Sequence, residues 1–271
     1  MGLPSPLWGG GRDGGQSPCR TVTFSPEGAI IAAFLAFCRI GACFLVMPGL
    51  SSVRVPMQVR LFAALAATGG LLVLLWDEIY PFADRRPAVL VPRIASELLI
   101  GVLIGLLARL YMLALQFIGA AIAMLIGYGG GMGQGIEDGE PQPALGAIIS
   151  FSALLLLFIF DFHHEIIRAL VASYEVAPLD VLFNPQSALV DVSDTLSESF
   201  LVVLRLGSPF VAYSLLVNLT IGFVNKLVPQ IPVYFISLPF VVAAGLIIFY
   251  FAIGTMLSLF ADGFVDITIG R

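Results

Sequence analysis

A chain of 271 residues in which 59% of side chains are hydrophobic and 11% charged lies outside the composition of soluble domains, which run at about 45–50% apolar and about 25% charged. With 13 basic against 18 acidic side chains and a net charge of −5, it has no basic tail or patch that would follow phosphates, so nucleic acid is excluded as a partner. Three cysteines, Cys19, Cys38 and Cys43, are an odd number without paired metal spacing, which argues against a disulfide framework and against a zinc site. The remaining class is an integral membrane protein, in contact with membrane lipid.

Residues 1–23 are dense in Gly, Pro and polar side chains and have almost nothing to bury, so they read as a disordered segment. A start site misassigned upstream of Val22 is an alternative. A cleaved signal fits less well, because the next apolar run contains Arg39, follows Glu27 and lacks a small-x-small cleavage site. Residues 24–271 form a single integral-membrane domain. Ser25 can cap and Pro26 suits the first position of a helix that runs apolar from Ala29 to Met47, until Pro48-Gly49 stops it. A second run spans Leu61 to Trp76, and an acidic, Pro-containing stretch from Asp77 to Pro87 closes it. The apolar region from Ala88 to Tyr128 is about twice the roughly 20 residues that a span needs, so it holds two spans or one bent back.

The stretch Gly127 to Pro143, GYGGGMGQGIEDGEPQP, is too rich in glycine, proline and acid for a helix and reads as a loop. Loops of this length are usually functional or disordered. Within it Gly129, Gly130, Gly131, Met132 and Gly133 form a flexible arm that carries one soft side chain, suited to plug an aperture, against the plainer reading of a connector. Ala144 to Phe162 is a further apolar run, followed by the amphipathic DFHHEIIRALVASY and a polar connection from Glu175 to Glu198. Thr195 with Glu198 has capping-box spacing and is expected to start a helix over Ser199 to Lys226, kinked at Pro209. A last run, Ile231 to Phe260, contains Pro239 and Gly245 and is long for one simple span. The fold class is all-α, with about six apolar segments. Arg54 and Arg60 precede the second run and Arg85, Arg86 and Arg93 follow it. The positive-inside rule therefore gives no serpentine topology, and helices covered by partner subunits fit better.

Ionisable residues in apolar segments, here Arg39, Glu97, Arg109, Asp161 and Arg205, are expensive and need partners or water. Pairing within the fold or across subunits is the simpler account, and a charge relay through a solute path is the alternative. Asp161, Glu165 and Arg168 share a helical face and are expected to pair. His164-Glu165 opens an H-E-x-x-H pattern that fails at Arg168, so a metalloprotease site lacks its second ligand and no metal is expected. No phosphate-binding glycine motif and no nucleophile elbow occurs, so neither an enzyme nor a cofactor is expected. Gly101 and Gly105 make a G-x-x-x-G that lets another backbone approach, within the chain or from another subunit.

Several pieces, in order, resemble the FliR/SctT family of type III secretion export-apparatus proteins. They are Arg39-Ile40-Gly41, Pro48, Val55-Pro56 to Arg60, and Glu97-Leu98-Leu99-Ile100-Gly101 with Gly105 and Arg109. Asp161-Phe162-His163-His164 with Ile167-Arg168-Ala169-Leu170 follows, and then PQIPVYFISLP with Pro229, Gln230 and Pro239. The resemblance implies a multi-pass subunit of the bacterial inner membrane, in the flagellar basal body. It implies assembly with FliP-like and FliQ-like membrane subunits and an FlhB-like export switch protein, for passage of unfolded exported flagellar proteins. It also implies that Arg39, Glu97, Gly101, Gly105, Arg109, Pro229, Gln230 and Pro239 serve helix packing or subunit interfaces. A small-solute transporter or channel is the competing class.

Overall fold

The computed structural model describes residues 25–52, 54–82, 86–129, 132–134 and 141–269. The expected disorder of residues 1–23 lies outside them, as do Gly130 and Gly131. Eight α-helices and one short strand pair make up the described residues: α1 (Pro26–Val46), α2 (Met57–Leu74), α3 (Trp76–Ile79), α4 (Pro87–Leu125), β1 (Met132–Gln134), β2 (Pro141–Pro143), α5 (Ala144–Ile159), α6 (Phe162–Val176), α7 (Pro185–Leu227) and α8 (Val233–Ile269). A one-turn 3-10 helix, Tyr80–Phe82, follows α3. The architecture is that of an all-α, multi-pass membrane protein. Five helices are long and apolar enough to cross a bilayer, or six spans if α5 and α6, bent by 65° at their break, count as one.

Local signals explain the helix ends. The Ser25 side chain accepts from the Gly28 N–H at 3.2 Å with Pro26 in the first turn, as the sequence predicts. Gly49, with φ of +87°, turns the chain after α1 where a side chain would be strained.

Four elements differ from the sequence expectation. The 88–128 region is one continuous 39-residue helix, α4, because none of its glycines or Pro92 is placed to break a rod that neighbours support on several sides. Its length is about 58 Å at 1.5 Å per residue, well beyond the hydrocarbon core. The helix expected from Ser199 begins at Pro185 instead, capped by Asn184, whose side chain accepts from the Gln186 N–H at 3.0 Å. Thr195 is fully buried inside α7 and is not its cap. The last run is likewise one helix, α8, with Pro239 inside it. In the glycine loop, Met132, Gly133 and Gln134 pair antiparallel with Pro143, Gln142 and Pro141, so its ends are pinned as a hairpin and not left fully irregular.

The core sits around α4, which packs against α1, α5, α7 and α8. Met112, Ile122, Ile126, Ile149 and Phe210 are fully buried there. A second, smaller cluster joins α1, α3 and α6 through Leu35, Ile79, Tyr80 and Tyr174. Burial is uneven: the apolar window of α1 is 56% buried and that of α8 only 11%. Thus α1 and α4 build the interior, while the α7–α8 hairpin presents most of its apolar surface outward.

Candidate functional site

The deepest polar feature is the crossing of α1, α4 and α6, and its geometry begins with two glycines. A Cβ on Gly101 would stand 2.1 Å from the Arg39 carbonyl oxygen, and one on Gly105 would stand 2.8 Å from that of Cys43. The G-x-x-x-G therefore seats α1 directly on α4, backbone against backbone, within the chain. Glu97 lies four residues before Gly101 and shares its face, so the close approach brings it against Arg39.

The result is a bidentate pair. Arg39 Nε donates to Glu97 Oε2 at 2.7 Å and Nη2 to Oε1 at 2.8 Å. The remaining guanidinium donors reach α6 and the chain just after it: Nη1 to Ser173 Oγ at 3.1 Å and Nη2 to the Ala177 carbonyl at 2.9 Å. The guanidinium carbon lies 3.9 Å from the centroid of the Tyr174 ring, a stacked cation–π contact. Arg39 is 0% exposed and Glu97 2%. Isolated, either charge would be very costly at this depth; paired and saturated with hydrogen bonds, the two are tolerated and fix the geometry of three helices. Arg39 and Glu97 were each expected to need a partner, and they are each other's. Ser173, Tyr174 and Ala177 were not singled out in the sequence.

The other expected site residues fall elsewhere. Arg109 is half-buried further along α4. Pro229, Gln230 and Pro239 are exposed on the α7–α8 turn and the first turns of α8. Gly129 ends the segment after α4, and Met132 and Gly133 belong to β1. Arg205 is exposed on α7. The three-residue pairing expected on α6 is divided. Arg168 Nη1 donates to Glu165 Oε1 at 3.1 Å, whereas Asp161 lies 3.6 Å from His164. The cause is the backbone: Asp161 has φ of +56° at the α5–α6 break and stands outside the helix whose face it was expected to share. Both pairs are at the surface, where such contacts contribute little.

The described residues contain no group of three or more His, Cys, Asp or Glu arranged for a metal ion. What this arrangement does is mechanical. It ties α1, α4 and α6 into one body.

Residues 30–267 match the family described as bacterial export proteins, family 1. The chain is 26% identical over 244 residues to the flagellar biosynthetic protein FliR of Caulobacter vibrioides, covering 90% of this chain and 97% of that one. It is 25% identical to FliR of Bacillus subtilis over 224 residues, 80% of this chain and 83% of that one. It is also 25% identical to FliR of Escherichia coli over 221 residues, 79% of this chain and 80% of that one. A match that runs from α1 through α8, over the helices that make the buried Arg39–Glu97 crossing and the hairpin beyond it, establishes that the chain belongs to family 1 of the bacterial export proteins.

Proposed function

We propose that this chain is a structural and gating subunit of the flagellar type III protein export apparatus in the bacterial inner membrane. The observation that carries the reading is the match to FliR proteins over most of the chain, which includes 97% of one relative's length. In this reading the subunit assembles with FliP-like and FliQ-like membrane proteins and an FlhB-like switch protein, and unfolded flagellar proteins pass through the assembly. The outward apolar surface of the α7–α8 hairpin supports it. Leu215, Leu219, Phe223, Phe235, Phe240 and Phe251 are all exposed, and Asn218 and Lys226 lie among them on α7. Polar groups on an apolar helix favour protein neighbours over lipid.

The Arg39–Glu97 pair weighs against a small-solute transporter. Charges on a solute path must be reachable by water or solute, and these two are buried and saturated by each other, Ser173 and Ala177.

The loop between α4 and α5 is assigned the gate. In this reading the arm from Gly129 to Gly135, which carries Met132 and is tied at Met132 and Gly133 to the start of α5 through the β1–β2 pairing, closes an aperture at rest. Removing residues 129–135 is expected to raise resting ion conductance of the membrane without preventing assembly, read by voltage-clamp of reconstituted complexes; unchanged conductance contradicts the plug. Export itself is tested by deleting the gene. Hook and filament proteins should disappear from the culture medium and return on complementation. Undiminished secretion would contradict the function proposed.

A further inference from the structure

Along α4 the side chains Ile100, Leu103, Ile104 and Leu107 fall on one face at helical spacing, while α1 takes up the face that carries Gly101 and Gly105. The helices α6 and α7 stand over the first face as a hairpin, but they do not fill it. A groove of about 600 Å³ runs between α4, α6 and the start of α7. Val176, Val181 and Leu182 line one end of it and are each more than half exposed. Empty apolar space of this size is destabilising, and apolar walls do not hold ordered water.

The two ends of the groove differ in chemistry, and the helix directions fix which residues share an end. The Phe183 N–H donates to Ser96 Oγ at 2.8 Å, and a Cβ on Gly207 would stand 2.6 Å from Ile118, so α7 runs beside α4 in the same direction. In contrast, α6 runs the opposite way. It starts past the end of α1, where Leu154 and Phe158 of α5 lie against Gly49, and it reaches Arg39 through Ser173. Arg168 and Asp191 therefore stand together at one end of the groove, about 10–12 Å, at 1.5 Å per residue, from Asn184 and Val176 at the other. Arg168 is exposed and donates to Glu165 Oε1 at 3.1 Å, a surface pair that exchanges partners at little cost. Asp191 is half-buried. With two carboxylates and one guanidinium, this end repels a purely anionic group. It suits a zwitterion, whose anion meets Arg168 and whose cation meets Asp191. The apolar end lies beside α1, because the Arg39 carbonyl sits against Gly101 next to Ile100, and α1 is apolar enough to cross a bilayer.

We infer that the groove binds one membrane lipid, a phospholipid with an ammonium headgroup of the phosphatidylethanolamine kind. Its acyl chains lie between α4 and the α6–α7 hairpin, its phosphate accepts from Arg168, and its ammonium donates to Asp191. An inserted helix fits the space less well. With its side chains a helix is about 10–12 Å across, so a 12 Å length fills on the order of 1,000 Å³, more than the groove holds. The lipid completes the packing of α6 and α7 on the face of α4 that the Arg39–Glu97 pair does not hold. This binding is independent of what the chain exports.

Lipid photolabelling tests the inference on the full chain in phosphatidylcholine nanodiscs. These contain a small fraction of phosphatidylethanolamine with a diazirine midway along one acyl chain, and labelled residues are read by mass spectrometry. Val73 and Leu74, exposed on α2, are the reference for lipid that merely surrounds the protein. Labelling at Val176, Val181 and Leu182 should exceed that reference roughly tenfold, the factor that a charge-assisted hydrogen bond contributes. Unlabelled phosphatidylethanolamine should compete it away. Phosphatidylglycerol, an anion, and added phosphatidylcholine, whose quaternary ammonium has no N–H to donate, should compete severalfold less. Arg168→Gln/Asp191→Asn should bring labelling down to the reference with helical content unchanged. Ala172→Trp, which places a ring in the groove, should do so with both charges in place. Labelling of the unaltered chain at the reference level overturns the inference. So does tenfold labelling that every lipid displaces equally and that the double variant leaves intact, which would mean a groove without headgroup recognition. A photocrosslinking amino acid at Leu182 in native membranes is the last check. Attachment to lipid is expected; attachment to another protein would make the groove a subunit contact and overturn the inference.

Discussion

At the scale of single residues, the strongest dependence is that between Arg39 and Glu97. Removing one partner strands the other charge in a site with no exposure for Arg39 and almost none for Glu97, a loss of about 3–5 kcal/mol. Arg39→Met and Glu97→Met are each expected to reduce accumulation of folded chain strongly. The double variant should recover a large part of the loss, because two apolar side chains of similar length leave no orphaned charge. Thermal unfolding of the purified chain, completed as a double-mutant cycle, measures this; equal losses in single and double variants would contradict it. Gly101→Ala is expected to be worse than an ordinary overpacking change of about 1–3 kcal/mol, since its Cβ would stand 2.1 Å from a backbone oxygen and not against a movable side chain. Gly69→Ala in α2, with nothing within 4 Å of its Cβ, is the control and should be neutral or slightly stabilising. At Asp161, φ of +56° tolerates Asp or Gly and opposes a β-branched residue. Asp161→Val should therefore lower stability by about 1–2 kcal/mol relative to Asp161→Gly, checked by the midpoint shift between the two.

At the scale of elements, the sequence made the helix starts more legible than their extents. Ser25-Pro26 marks α1 by composition alone. Asn184-Pro185 carries the same signal for α7, but the acids from Glu175 to Glu198 suggested a solvated connector and pushed the expected start to Ser199. Charge on the outer face of a helix looks the same in sequence as charge in a loop. The buried residues of that early stretch, Ala188, Thr195 and Ser199, are small and few, too faint a stripe to outweigh the acids. Length misled at α4 and α8 for a related reason. A rule that assigns about 20 residues per span breaks up any helix that continues into water or into a protein partner. The Arg39–Glu97 contact was half legible. Both residues stood out as ionisable groups in apolar runs, and Glu97 shares a face with Gly101 and Gly105, so whichever helix used the glycines had to meet the acid. That this helix is α1, 58 residues away, follows only from tertiary packing. Ser173, Tyr174 and Ala177 offered no signal, because a serine, a tyrosine and a backbone carbonyl in an amphipathic helix have many uses.

At the scale of the molecule, one tightly bonded body, α1 with α4 and α6, carries long helices whose outer surfaces are apolar. The contrast between 56% burial in the α1 window and 11% in that of α8 leaves the α8 surface to be covered by lipid or, in the function proposed above, by neighbouring subunits. Under that proposal the absence of a clear charge topology has a physical reason, since helices covered by protein need not follow a rule written for loops that face water or lipid. The account's central claim is that this chain is built to be one subunit among several. Purification of the tagged chain from its native membrane in mild detergent, with mass spectrometry of everything retained, tests that claim most directly. FliP-like and FliQ-like proteins recovered at a fixed ratio to the tagged chain are the predicted result. A lone chain or a homo-oligomer, stable and free of such companions, would contradict it.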